Sequence, residues 1–189
     1  MVTAAKKKLF TVDEYYEMAR VGILTETDRV ELIEGEVVEL FPNGSRHQAL
    51  VDQLAHLFLN AVGDHACVRI HGPLRLANIT EPQPDVQLLT PRDDFYVDGH
   101  PTPLDALLVV EVADTSLAYD RNDKAVVYSI RGIPELWVLD VDKPRLFVMR
   151  EPAELGYRVV MELEAGDVIS PLALPDLSFA VSDLLSPLL

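Results

Sequence analysis

The sequence predicts an α/β fold of mixed α+β character, with a mixed central β-sheet flanked by helices on both faces. Two observations carry that prediction. Segments read in the order helix, hairpin, helix, several strands, helix and strand, so the two kinds of element are interleaved. The runs LLVVEVA (residues 107–113) and IPELWVLDV (133–141) are nearly continuous in apolar residues, as central strands covered on both faces are. Composition agrees: 189 residues, 49% hydrophobic and 25% charged, suit one domain with a sizeable core.

The elements follow in order. MVTAAKKKLF carries three lysines but no long apolar stretch, so no secretory signal is expected there. Thr11 with Glu14 fits a capping box, and VDEYYEMAR reads as a short helix. RVELI and EVVEL flank Glu34-Gly35 and read as a β-hairpin. After a turn at Pro42-Asn43-Gly44, Ser45 is expected to cap a helix through about Val62, with Leu50, Leu54, Leu57 and Phe58 on its apolar face. ACVRIHGPLRLA suggests one or two strands broken at Gly72-Pro73. EPQPDVQLL is a proline-restricted entry into a strand, and residues 90–105, rich in proline and aspartate, read as a loop. After LLVVEVA, any of Asp114, Thr115 and Ser116 can cap a helix reaching Arg131, with Gly132 as its stop. RLFVMRE and YRVVMELE follow IPELWVLDV and form an antiparallel pair. The end is irregular with a short helix. The whole of 1–189 is expected to be one domain, its core about 9–150 and residues 151–189 a C-terminal hairpin and tail.

Charge and composition narrow the function. The net charge of −15 argues against a broadly basic nucleic-acid-coating protein. Residues 151–189 hold seven acids and one base, Arg158, so the tail is a poor nucleic-acid face. Cys67 is alone, which excludes an internal disulfide and a cysteine-cluster zinc site and suits a reducing cytoplasm. No apolar run approaches the roughly 20 residues of a membrane span. Glycine-rich phosphate loops, GxSxG and HExxH are absent.

The candidate chemistry begins at Glu111, a carboxylate inside an apolar strand. A charge there is costly unless it is paired or holds a metal. Pro84-Asp85 opens the preceding strand, so Asp85 and Glu111 can meet above the sheet and suit Mg²⁺, a cation of hard oxygen ligands. The alternative is two unrelated structural acids. On the following helix Asp120, Lys124 and Tyr128 share one face by i, i+4 spacing. Lys124 is then either half of a solvated pair with Asp120 or folded back onto Glu111, where it would orient or deprotonate an attacking water or neutralise developing charge. Alternation in the first hairpin makes Glu31 the best inward-facing acid there. His47, in the first turn of its helix, is placed to touch a phosphate or donate a proton, or else is merely exposed. Tyr128 joins it as an expected substrate contact. His56, His65, His71 and His100 have no metal-like spacing, and Trp137 reads as core.

RVELIEGEVVEL, His47, PQPDVQLL and LLVVEVADTSLAYDRNDKAVVYSIRGIPELWVLDV together resemble the Uma-type family of bacterial endonucleases, within the PD-(D/E)xK restriction-endonuclease-like superfamily. The resemblance spans about residues 9–180. It implies Asp85 as the PD aspartate, Glu111 as the acid of the second half-motif and Glu31 as the N-terminal acid. The superfamily lysine normally stands two residues after that acid, where this chain has Ala113. In the Uma-type family the lysine is moved to the next helix, which makes Lys124 its equivalent. The resemblance further implies Mg²⁺ or Mn²⁺ on Asp85, Glu111 and the Val112 carbonyl, a DNA substrate with RNA as the alternative, a homodimer, and a cytoplasmic enzyme. The second reading is a catalytically silent member serving as a binding or assembly module, motivated by the −15 charge and the lack of a Lys/Arg stripe.

Overall fold

The computed structural model describes residues 6–25, 27–40 and 42–189; residues 1–5, half of the stretch expected to carry no secretory signal, lie outside them. Helix α1 (Val12–Arg20) opens on a capping box in which the Thr11 hydroxyl accepts from the Glu14 N–H and the Glu14 carboxylate accepts from the Thr11 N–H. Strands β1 (Val30–Ile33) and β2 (Glu36–Glu39) form the expected hairpin. Its two turn residues, Glu34 and Gly35, have φ of 48° and 81°, the left-handed pair that matches strand twist. Glycine is required at the second: a Cβ there would lie 2.6 Å from the Leu9 Cβ.

Helix α2 (Ser45–Val62) starts at its expected cap, one residue early. Gly44 occupies the cap position without a side-chain bond, and Ser45 is the first helical residue. Leu50, Val51, Leu54, Phe58 and Val62 are buried, and each such side chain contributes about 1.5–3 kcal/mol.

The central sheet runs β3 (Cys67–Ile70), β4 (Val86–Leu89), β5 (Ala106–Ala113), β6 (Glu135–Asp140), β7 (Arg145–Arg150) and β8 (Val159–Leu163), in that spatial order. Only β5 and β6 are parallel; every other pairing is antiparallel, and β7–β8 is the predicted extra hairpin. ACVRIHGPLRLA supplies a single strand, because Gly72-Pro73 ends it and the chain then turns back on itself. Alternation splits β5 between two cores. Leu108, Val110 and Val112 pack with α2, whereas Val109 and Ala113 pack with the crossover helix between β5 and β6. Glu111 shares the latter face by parity.

That crossover helix is not a regular α-helix, as the i, i+4 reading expected. Tyr119–Lys124 is a π-turn, in which the Ala125 N–H reaches the Asp120 carbonyl five residues back, and α3 (Ala125–Ile130) follows. The Asp120 N–H bonds the Ser116 carbonyl, so Ser116 opens the helix. The exit is a Schellman motif: the Ile133 N–H donates to the Tyr128 carbonyl and the Gly132 N–H to the Ser129 carbonyl, with Gly132 at φ 79°. The tail holds a further pair, β9 (Val168–Ile169) with β10 (Phe179–Ala180), then α4 (Val181–Leu184). Glu135, wholly buried, anchors the tail by accepting from Arg150, the Trp137 indole N–H and the Leu172 N–H. Among the described residues no helix is long and apolar enough to cross a membrane.

Candidate functional site

The residue before β4 and the C-terminal half of β5 meet at the floor of a cleft of about 1090 Å³. The hairpin β1–β2, the first turn of α2 and the segment after β5 form its walls. Ladder register explains the meeting. Val86 pairs with Val110, so the preceding Asp85 lies level with Glu111. The hairpin is brought in by a bridge between Leu32 and Glu81, and the Gln83 N–H donates to Glu31 Oε1 at 2.8 Å.

Lys124 Nζ sits 2.9 Å from Glu111 Oε1 and 3.2 Å from Glu31, with all three side chains almost wholly buried. Its partners are therefore the two strand acids. Asp120 is also buried, but accepts from the Ser116 hydroxyl, so the solvated Asp120–Lys124 pair does not form. Burial disfavours the ammonium, yet Glu111, Glu31 and Asp120 outweigh it and hold its pKa well above the ordinary lysine value. Tyr128, expected to contact substrate, is instead fully buried outside the cleft lining, and its hydroxyl donates to Glu111 Oε1 at 2.6 Å.

Asp85 is held from several sides. Oδ2 accepts the Val112 N–H at 2.8 Å and lies 3.2 Å from His47 Nε2; Oδ1 lies 3.4 Å from His71 Nδ1. The two imidazoles stack with centroids 6.5 Å apart. Burial opposes the carboxylate, but these hydrogen bonds hold its pKa well below the usual aspartate range. Glu111 moves the other way. Burial, with the charges of Asp85, Asp120 and Glu31, pushes it up to about 8 against the pull of Lys124.

The cleft thus gathers Asp85, Glu111, Glu31, Lys124, His47 and Val112. His71 is the residue that sequence reasoning missed. It lies 14 positions from Asp85, and only the β3–β4 register brings them level: the His71 N–H donates to the Asp85 carbonyl. No spacing signal marks that.

The donor set fits a divalent cation. Four buried or nearly buried carboxylates face one ammonium, and Glu31 Oε2, 3.2 Å from Lys124 Nζ, accepts no hydrogen bond. Among the described residues no three His, Cys, Asp or Glu side chains enclose an ion by themselves. Two carboxylates completed by waters and substrate oxygens are the habit of Mg²⁺.

A family model, Uma2, described as "Putative restriction endonuclease", matches residues 12–182. The chain belongs to the Uma2 family. "Uncharacterized protein sll1609" of Synechocystis sp. (strain ATCC 27184 / PCC 6803 / Kazusa) is 28% identical over 141 residues, covering 72% of this chain and 76% of that protein. A crystal structure of "a putative nuclease belonging to DUF820" from Anabaena variabilis ATCC 29413 superposes with a TM-score of 0.72 at 18% identity, over 95% of this chain and 99% of that one. The Uma2 chain and that structure share the fold across nearly their full lengths.

Proposed function

We propose that this chain is a divalent-metal-dependent endonuclease that hydrolyses DNA phosphodiester bonds. The observation carrying the reading is the convergence of Asp85, Glu111 and Lys124 in one cleft, from three separate elements. Membership of a family described as restriction endonucleases supports it.

Asp85 and Glu111 would hold Mg²⁺ or Mn²⁺. The Val112 N–H points to Asp85, and in an extended strand the carbonyl of the same residue points to the same side, which makes it the third donor. Glu31 would complete the shell. When bound, the cation supplies Lewis acidity and charge neutralisation at the phosphate. The chain's own groups do the rest. His47, His71 and the Val112 N–H fix both oxygens of Asp85, as outer partners of a ligand carboxylate do. Tyr128 fixes Glu111 from behind. Lys124, kept protonated by its carboxylates, acts as a donor: it orients the attacking water and offsets charge gathering on the phosphate, rather than abstracting a proton. Water oxygen bonds to phosphorus as the bond to the leaving sugar oxygen breaks; the attacking water gives up its proton to solvent, and the leaving oxygen takes one from solvent. Cutting both strands of a duplex calls for two such sites, hence a homodimer.

The test is nicking of supercoiled plasmid with Mg²⁺ or Mn²⁺ by the wild type, Asp85→Ala and Glu111→Ala. Nicking by the wild type alone, abolished by chelator, is expected. No nicking by the wild type in either metal, or equal nicking by all three proteins, overturns the reading; the first result would favour the binding-module alternative that the −15 charge suggests.

A further inference from the structure

The sheet ends in two edges, β3 and β8. β3 leads directly into His71 of the cleft, and its Arg69 is tied to the Phe95 carbonyl at 3.1 Å, so a strand added there would cover the site. β8 lies three strands from β5 on the far side. The Arg158 N–H donates to the Glu151 carbonyl at 3.0 Å, on the β7 side. Alternation then turns the N–H and C=O groups of Val159, Met161 and Leu163 outward, a row of unpaired groups that templates another strand.

The order of side chains selects the partner. Residues 158–164 read RVVMELE. Laid antiparallel on a copy of itself about Met161, the strand sets Arg158 opposite Glu164, Val159 opposite Leu163 and Met161 opposite Met161, and a two-fold axis repeats each pair. Arg158 and Glu164 are exposed and in no ion pair among the described residues. Glu162 is already neutralised by Arg145, so its position opposite Val160 adds no bare charge. A slip of one residue sets Arg158 against Leu163 and Val159 against Glu162, which loses both the charge pairs and the apolar seam.

We infer that β8 is the surface on which a second copy of this chain docks, antiparallel, joining two six-stranded sheets into one. The registers place the consequence. Glu111, Val138, Phe147 and Glu162 lie level across β5 to β8. Glu162 would meet the partner's Val160, itself level with the partner's Val109. The two Glu111 carboxylates then lie on the same face, seven strand spacings apart, about 34 Å along the sheet. One turn of B-DNA is about 34–36 Å. The docking surface stands without the nuclease reading; the meaning of the spacing rests on it.

Sedimentation equilibrium of the full chain reads association separately from nicking. A seam of five residues a side is small, so a dimer in the micromolar range is expected. Arg158→Glu and Glu164→Arg should each weaken it about tenfold, and the double variant should restore it. Both positions are exposed, so folding is spared. In a Cys67→Ala background, Met161→Cys should oxidise to a disulfide-linked dimer, because paired Cα atoms about 5.5 Å apart suit that bond, while Val160→Cys should not. A monomer at every concentration, a dimer indifferent to both charge reversals, or equal cross-linking at 160 and 161 would overturn the inference.

Discussion

Glu111→Gln is expected to stop metal-dependent hydrolysis, by about 10²–10³-fold or more, while making the metal-free protein more heat-stable at pH 8. The amide keeps the size of the side chain and still accepts the Tyr128 hydroxyl. It removes one of the carboxylates crowded around a single ammonium. The sign comes from the direction of the shift. Glu111 is raised from an ordinary 4.5 to about 8, so the stability linked to its protonated form is present below pH 4.5 and is lost as pH climbs through 8. Each unit of that displacement corresponds to about 1.4 kcal/mol. For a chain of this size 1 kcal/mol moves Tm by about 2–4 °C. Thermal melts in chelator should therefore show a gain of about 3 °C or more at pH 8 and almost none at pH 4.5. A lower Tm than wild type at pH 8 would sink this account of Glu111.

Lys124→Ala should give the largest loss of stability. It leaves Glu111 and Glu31 buried without their cation, a type of change that costs about 3–5 kcal/mol, or a fall in Tm of about 10 °C. Acid should soften the loss, since Glu111 can then take up a proton. Mn²⁺ should restore part of it at pH 8, because an ion that binds only the folded state stabilises by mass action. Lys124→Met separates charge from packing by keeping the apolar stem. If the methionine variant melts with the wild type in chelator at pH 8, or Mn²⁺ restores nothing, the electrostatic account fails.

Sequence patterns that depend on neighbours in the chain proved readable. The α1 capping box, the Glu34-Gly35 turn, the apolar β5 and β6 and the β7–β8 pair each announce themselves within a few residues. Glu111 was legible for a related reason, because a carboxylate in an apolar strand demands a partner. What local pattern does not contain is register. Asp85 meets Glu111, and His71 meets Asp85, through ladders whose offsets no stretch of sequence displays. Burial was hidden for the same reason. Tyr128 and Asp120 fell on the predicted helix face with Lys124, but whether that face met water or the Glu111 side of the sheet depended on how the crossover packs. Ser45 was misplaced by one residue because Gly44, with no side chain, caps by backbone shape alone.

The π-turn Tyr119–Lys124 gives this site an unusual tolerance. Asn122 and Asp123 point to solvent, so their identity is nearly free. Their number is not. A π-turn accommodates one residue more than an α-helical turn, so losing one residue would close it to an α-turn with α3 still on its face, whereas losing both would swing α3 by about 100° relative to the Ser116 end of the crossover. Lys124 would leave the face it shares with Glu111 and Tyr128 although no side chain of the cleft had been altered. The placing of Lys124 against the strand acids is thus written in chain length, as a reading frame is, and a two-residue deletion on the surface would act as a frameshift in space.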